Sequence, residues 1–128
     1  MRVKTELWVK AYIRRRQSAG AFAGVVAHGH DDAGAVLIKI NRLDGQVALY
    51  GPAPMSFDDP AVSGLDDGER RFERLHESDW IAERAADDVI ARQRSYDSDI
   101  WEIEVEDRHG ESGLDGWLAT PMSDRRPS

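Results

Sequence analysis

The residues best suited to chemistry form one short cluster in the first third of the chain: His28, His30, Asp31 and Asp32. Side chains at positions i and i+2 of an extended segment point the same way, so both imidazoles can face one ion while a turn carboxylate completes its ligands. Zinc and manganese accept such a donor set. The cluster predicts, as an alternative function, a small metal-dependent hydrolase. A polar turn with two exposed histidines is the other interpretation.

A second group of candidates is acidic. Glu102, Glu104 and Glu106 alternate with apolar residues, so in a strand they share one face at a spacing of about 6.8 Å. Carboxylates in this arrangement can hold a divalent cation, take part in acid–base chemistry or bind a partner. They can equally be solvated, or paired with arginines of an adjacent strand.

The third group is basic. Arg14, Arg15 and Arg16 end a helical pattern and Arg42 stands beside a turn, where they can contact phosphate. The whole chain of 128 residues, however, has 17 basic and 24 acidic side chains and a net charge of -7. This acidity opposes binding to nucleic acid and to anionic membranes, so we expect neither as a partner.

Charge is also unevenly distributed along the chain. Residues 1–57 hold eight basic and four acidic side chains, a net of +4, and residues 58–128 hold nine and twenty, a net of -11. Folding into one domain would partly neutralise the two parts. The alternative is a charged patch that faces a protein partner.

Several classes of function are excluded by what the sequence lacks. There is no cysteine, so thiol catalysis, iron–sulfur clusters and Cys-ligated zinc are ruled out. Phosphate-binding, dinucleotide-binding and nucleophile-elbow motifs are also missing. We therefore predict no catalytic residue and no cofactor. No apolar run approaches the ~20 residues that cross a bilayer, and arginines stand where a secretory signal would be apolar, so we expect a cytoplasmic protein.

The elements that carry these groups follow from hydrophobic periodicity. Apolar residues at helical spacing predict a helix over residues 5–19, with Thr5 as its N-cap and Gly20 just past its C-terminus. The first residues also alternate as a strand would. The period then becomes two, which predicts a strand from residue 24, a hairpin turn over residues 28–34 and a second strand over residues 36–41.

The next turn sets a register that can be tested. If Asp44 and Gly45 form a two-residue turn, Leu43 lies opposite Gln46 and Ile40 lies opposite Leu49. Arg42 then faces Val47, and one face of the hairpin collects its aliphatic side chains, which are Ile38, Ile40, Val47 and Leu49. Burial and turn geometry agree in this prediction.

The remaining chain alternates loops and elements. Residues 51–69 are rich in proline and glycine, with a flexible insertion predicted over 56–69. A short strand is predicted over residues 71–76, a helix from Ile81 capped by Ser78 or Asp79, and a strand from Trp101 to Val105. Residues 1–110 would form one domain, followed by a polar, mobile tail over 111–128 in which Leu114, Trp117 and Leu118 can dock.

These elements predict an α+β fold. Its expected form has two layers, a mainly antiparallel sheet of four to five strands with two helices on one face.

Two stretches of the sequence carry a family resemblance. The first runs from Gly34 to Gly45 and continues from Leu49 to Pro54, and the second comprises Ile100-Trp101 and residues 104–108. Both resemble a bacterial family of small proteins, domain-of-unknown-function family 1491. With Leu7 to Val9 near the start, the resemblance covers most of the chain. It implies a family membership and no activity, cofactor or ligand.

The leading functional hypothesis is a noncatalytic interaction module with an unidentified protein partner. Its contact surface would combine a polar sheet face with a loop stiffened by proline. The predicted contact residues are Arg42, Tyr50, Gly51, Pro52, Pro54, Glu102, Glu104 and Glu106. An exposed edge strand or Trp117 leaves a homodimer open.

Overall fold

The computed structural model describes residues 4–53 and 70–118 and consists of two helices around a six-stranded sheet. The predicted insertion over 56–69, the contact residue Pro54 and tail residues 119–128 lie outside the described residues. In chain order the elements are α1 (Thr5–Ser18), β1 (Phe22–Ala27), β2 (Val36–Asn41), β3 (Gln46–Pro52), β4 (Phe72–Arg74), β5 (Ile81–Ala82), α2 (Glu83–Tyr96) and β6 (Trp101–Glu106), followed by a 3-10 turn at Asp115–Trp117.

The strand order is β1-β6-β2-β3-β4, with β5 pairing with β3. The last strand, β6, lies antiparallel to β1 and parallel to β2. The predicted hairpin of β1 with β2 is therefore wrong, because β6 separates these strands. Alternation identifies a strand but not its partner, and β6 offers the apolar face that Trp101, Ile103 and Val105 bury.

All six residues of β2 are buried, because each face of the sheet is covered by a helix. On one face Trp8 and Tyr12 of α1 pack with Ile38 and Ile40 of β2. On the other face α2 packs with Leu37 of the same strand through Ala86 and Ile90. The α+β class is confirmed and the sheet is mixed, but the helices lie on opposite faces, not on one.

The register of the β2–β3 hairpin also differs from the prediction. Ile40 pairs with Ala48, and Leu49 pairs with Lys39. Ile40 therefore points toward α1 and Leu49 toward α2. A slip of one residue exchanges the two faces of a strand, so the predicted common face of these aliphatic side chains is wrong.

The cause is a turn of three residues where two were predicted. Arg42 N–H donates to Gln46 O at 3.2 Å, which leaves Leu43, Asp44 and Gly45 in the loop. Leu43 and Gly45 have φ of 66° and 88°. The side-chain Oδ1 of Asn41 accepts from Leu43 N–H at 2.8 Å, and the Asp44 carboxylate accepts from Gln46 N–H at 3.0 Å. These side-chain contacts stabilise the longer turn.

The helix boundaries differ less from the predictions. Thr5 is the first residue of α1 and not its N-cap as predicted, and its hydroxyl donates to Gly34 O at 3.2 Å. Gly20 follows the C-terminus of α1 with φ 94°, as predicted. Helix α2 begins at Glu83, because Ile81 pairs with Val47 in the sheet. Neither helix of the described chain is long and apolar enough to cross a membrane.

The segment that follows β6 docks onto α1. Leu114 is fully buried in the core, and the Trp117 ring meets the Trp8 ring edge-on with centroids 5.5 Å apart. The Tyr12 hydroxyl donates to Ser112 O at 2.5 Å. Burial raises the pKa of Tyr12 well above its usual value. Residues 112–117 thus form part of the packed structure.

Candidate functional site

The predicted metal-like cluster is partly assembled, and the structure adds one residue to it. His28 Nε2 lies 2.6 Å from Asp31 Oδ1. Glu6, in the first turn of α1, brings a carboxylate oxygen to the same place, and one ligand atom from each of Glu6, His28 and Asp31 lies within 4.8 Å of the others. The His28 hydrogen bond lowers the pKa of Asp31, which favours its ionised form.

The other two predicted ligands have different contacts. His30 Nδ1 accepts hydrogen bonds from the backbone N–H groups of Asp32 and Ala33, at 3.2 and 3.3 Å. The Asp32 carboxylate lies 3.7 Å from the Lys4 ammonium. The structure thus brings His28 and Asp31 together, while His30 shapes the turn.

The loop that carries these residues is fixed by β6. His30 N–H donates to Asp99 O at 3.0 Å, and Trp101 Nε1–H donates to His30 O at 2.9 Å. A Cβ on Gly29 would lie only 2.2 Å from Asp99 O, so this close approach requires glycine. The His28 ring packs against the Trp101 ring with centroids 3.9 Å apart.

The acidic face of β6 is largely paired with basic groups. Glu102 accepts from Arg94 of α2 at 3.1 Å. Glu104 accepts from Asn41 at 3.0 Å and lies 3.9 Å from the Lys39 ammonium. Glu106, at the end of the strand, is exposed. The predicted acidic stripe is therefore reduced to the exposed Glu106 and to Glu104, which shares its carboxylate with Asn41 and Lys39. Both side chains face the same side as α2.

An open groove runs between α2 and β6. It has a volume of about 540 Å³ and is lined by Asp87, Ile90, Ala91, Arg94, Ser95 and Glu102. Helix α2 packs over β2 and β3, so on this side β6 and β1 stay uncovered by the helices described. The groove is too open to exclude water from a reaction, and it suits a bound chain better than an enclosed substrate.

Strand β1 forms one edge of the sheet. Its six residues carry no charge, and three large apolar side chains are exposed: Phe22 by 78%, Val25 by 45% and Val26 by 55%. Phe22 and Gly24 pair with Glu106 and Glu104, which places these carboxylates directly beside the edge strand.

The other predicted contact residues lie elsewhere. Arg42 lies over the Trp80 ring, 4.7 Å from its centroid, and forms an ion pair with Asp44 at 3.3 Å. Tyr50 is half-buried on the α1 face, and burial raises its pKa. Gly51 is buried on the opposite face against Leu75, whereas Pro52 is exposed. Tyr50 and Pro52 therefore face away from the β6 carboxylates.

The arginines that end α1 serve its packing. Arg16 is buried and forms an ion pair with Asp107 at 3.4 Å. Arg15 lies over the Trp117 ring, 4.1 Å from its centroid. Two of the three arginines are thus engaged with the segment that follows β6, which explains them without phosphate.

Sequence reasoning missed Glu6, Lys39 and the exposed edge at Phe22. Glu6 is separated from His28 by a whole helix and a strand, so no local pattern joins them. Lys39 meets Glu83 and Asp87, which lie 44 and 48 positions further along the chain, so no local pattern joins them either. The uncharged run from Ala21 to Ala27 was the available signal for an unprotected edge strand.

Together the fold and these surfaces define a small α+β domain with a mixed sheet between two helices. Residues 3–115 match the model of a family described as a protein of unknown function, DUF1491. The chain belongs to this family, which confirms the resemblance read from its motifs. No curated protein matches the chain.

Solved structures of similar proteins have the same fold. A DUF1491 family protein from Caulobacter crescentus CB15 is 35% identical in its crystal structure, with a TM-score of 0.73 over 91% of this chain and 99% of that one. An NMR structure of a DUF1491 family protein from Caulobacter crescentus CB15 gives the same identity and TM-score over 94% of this chain and 99% of that one. A protein from A. tumefaciens, solved in solution, is 40% identical with a TM-score of 0.68 over 83% and 86%.

Proposed function

We propose that this chain is a noncatalytic protein-interaction domain, and that it adds an extended, basic segment of a partner protein to β1, the edge strand among those that the structure describes. One observation carries the proposal. An uncharged edge strand with exposed Phe22, Val25 and Val26 lies beside the carboxylates of Glu104 and Glu106.

The edge offers backbone hydrogen bonds to a partner. A strand at the end of a sheet has unpaired N–H and C=O groups, and proteins that avoid pairing protect such edges with lysine or proline. Strand β1 has neither. Among the described contacts, one side chain hydrogen-bonds to the backbone of β1: the Gln17 side-chain N–H donates to Ala23 O at 3.3 Å. A single side chain is easily displaced by a strand that brings several backbone hydrogen bonds.

The negative charge of the surface beside β1 favours a basic partner segment. Around Lys39 and the groove stand the carboxylates of Glu83, Asp87, Glu102, Glu104 and Glu106 and the cations of Lys39 and Arg94, and these seven groups carry a net charge of -3. An added strand would lie about 9.6 Å from β6, two strand spacings away. Its lysine or arginine side chains can reach that far.

Gly24 opens the path for such a side chain. It stands on β1 opposite Glu104, and a Cβ built there meets no atom within 4 Å. A partner's basic side chain can therefore lie across Gly24 and approach the Glu104 carboxylate. The proposed surface keeps Glu104 and Glu106 of the predicted contact residues. We place the interaction in the cytoplasm, with which a chain without cysteine is compatible.

The test uses a defined probe. A hexapeptide of alternating lysine and valine is titrated into the isotopically labelled protein, and an alternating glutamate–valine peptide serves as the control. We expect amide shifts confined to β1, β6 and the groove, and no binding of the acidic peptide. Shifts elsewhere, equal binding of both peptides, or no binding of either would contradict the proposal.

Two substitutions sharpen this test. Val25→Lys places a cation on the edge and is expected to weaken binding about tenfold, ~1.4 kcal/mol. Leu43→Lys makes the same exchange at a residue that is 51% exposed in the β2–β3 turn and should leave binding unchanged. Equal effects of the two variants would overturn the assignment to β1.

A further inference from the structure

We propose that Glu6, His28 and Asp31 form a binding site for a divalent transition-metal ion, with Zn²⁺ as the ion best matched to the donors. Glu6 comes from α1, His28 directly follows β1, and Asp31 lies further along the same crossover loop, which joins β1 to β2. This set differs from the four loop residues that the sequence suggests, because it takes in Glu6 and leaves out His30 and Asp32.

The geometry is close to that of a bound site. The three ligand atoms lie within 4.8 Å of one another, and His28 Nε2 and Asp31 Oδ1 are 2.6 Å apart. Ligands about 2.0–2.2 Å from zinc are separated by about 3.3–3.6 Å. Side-chain rotations that move the ligand atoms by about 1 Å therefore suffice to form the site, and the backbone need not move.

The ligand atoms also determine which metal ion the site prefers. One imidazole nitrogen with two carboxylates suits zinc, whereas magnesium and calcium prefer oxygen ligands only. Three protein ligands leave further coordination positions to water, as in zinc sites that are open to solvent.

The surroundings hold the ligands in place. The His28 ring packs on Trp101 with centroids 3.9 Å apart, which fixes the imidazole plane independently of the carboxylates. Glu6 N–H donates to Asp31 O at 2.9 Å, so the backbone already joins the two segments. Such support around the ligands is what orients them for a metal.

The site has one competitor. Lys10 Nζ lies 2.8 Å from Glu6 Oε1 and is exposed. A metal ion must displace this ammonium to reach the carboxylate. Removing the lysine should therefore strengthen metal binding, an effect that a purely structural cluster would not show.

The experiment is a calorimetric titration of untagged, chelator-treated protein with Zn²⁺, and with Mg²⁺ as a control. We expect one equivalent of zinc to bind, a rise in Tm on binding, and no response to magnesium. Stoichiometry below half an equivalent, or an equal response to magnesium, would overturn the site.

Matched variants identify the ligands. His28→Asn and Asp31→Asn should each lower zinc affinity at least about tenfold, whereas His30→Asn and Asp32→Asn should leave it within about twofold. Lys10→Met should raise it severalfold. Loss of binding in His30→Asn and Asp32→Asn as well as in the first two variants would replace this site with the four-residue cluster. Running the peptide titration in the presence of chelator keeps the two proposals separate.

Discussion

The ammonium of Lys39, on the central strand, lies 2.9 Å from the Glu83 carboxylate at the start of α2. The lysine side chain is only 6% exposed and also lies 3.1 Å from Asp87. Burial lowers the pKa of Lys39, but hydrogen bonds to Glu83 and Asp87 raise it more, so the net pKa is above its ordinary value. This contact joins α2 to the sheet through charge.

Lys39→Met should therefore destabilise the fold. Removing the cation leaves Glu83, Asp87 and Glu104 without their shared partner, and we expect a loss of about 2 kcal/mol in the free energy of unfolding by urea. This is below the cost for a fully buried pair, since Glu83 and Asp87 are 42% and 55% exposed. Lys10→Met, at an exposed helical pair, should cost much less, because solvent screens the ion pair. Equal losses would contradict the account.

His76 makes stability depend on pH. Its Nε2 accepts Leu49 N–H at 3.1 Å and its Nδ1 contacts Ser78 O at 2.7 Å, which requires a neutral ring. Burial lowers the pKa of His76 and the nearby Arg74 adds to this, although Ser78 and Asp79 oppose it. A lowered pKa in the folded state means that this stability is present above the ordinary histidine pKa of 6.5 and is lost as the pH falls through the folded-state pKa.

The free energy of unfolding, measured between pH 7.5 and 5, should therefore decline less in His76→Gln than in the parent protein. His109→Gln, at an exposed histidine, serves as the control and should decline as the parent does. The same slope in all three proteins would show that His76 is not the titrating group.

Gly29 is predicted to tolerate no side chain. Gly29→Ala would place a methyl group against the Asp99 carbonyl and Trp101, at a cost of about 1–3 kcal/mol. At Gly24 a Cβ meets no atom within 4 Å, so Gly24→Ala should cost nothing or stabilise slightly. Thermal unfolding of the two variants decides this, and a larger loss in Gly24→Ala would refute the close approach of the crossover loop to β6.

Leu114 should matter as much as a residue of the central sheet. It is 0% exposed, so Leu114→Ala is expected to cost about 2–5 kcal/mol in chemical unfolding. Leu118→Ala, at a residue 39% exposed, should cost less than about 1 kcal/mol. A small effect at Leu114 would mean that the segment after β6 does not belong to the core.

The sequence predicted the elements better than their arrangement. Strand β3 has apolar side chains on both faces, with Val47 and Leu49 on one and Ala48 and Tyr50 on the other. Either register buries aliphatic groups, so the pattern cannot choose between them. The choice depends on side-chain hydrogen bonds in the turn, which hydrophobic periodicity does not report.

The sequence pattern also does not show which strands pair with each other. The insertion of β6 between β1 and β2 joins residues about 65 positions apart, as in Val36 with Trp101. Glu6 and His28 are 22 positions apart, with most of α1 and all of β1 between them, so their approach is not visible in any local pattern either. Local patterns therefore identified His28 and Asp31 of the proposed metal site and Glu104 and Glu106 of the proposed binding surface. Glu6 and the edge strand β1 follow only from the topology of the fold.

The most direct test of the proposed interaction is the contact between backbones. In a complex with the lysine–valine peptide, nuclear Overhauser effects should connect peptide amide and α protons to those of Ala23 and Val25, since a strand added to the edge lies about 4.8 Å away. Contacts of the peptide with β4 or α1, and none with β1, would contradict the account.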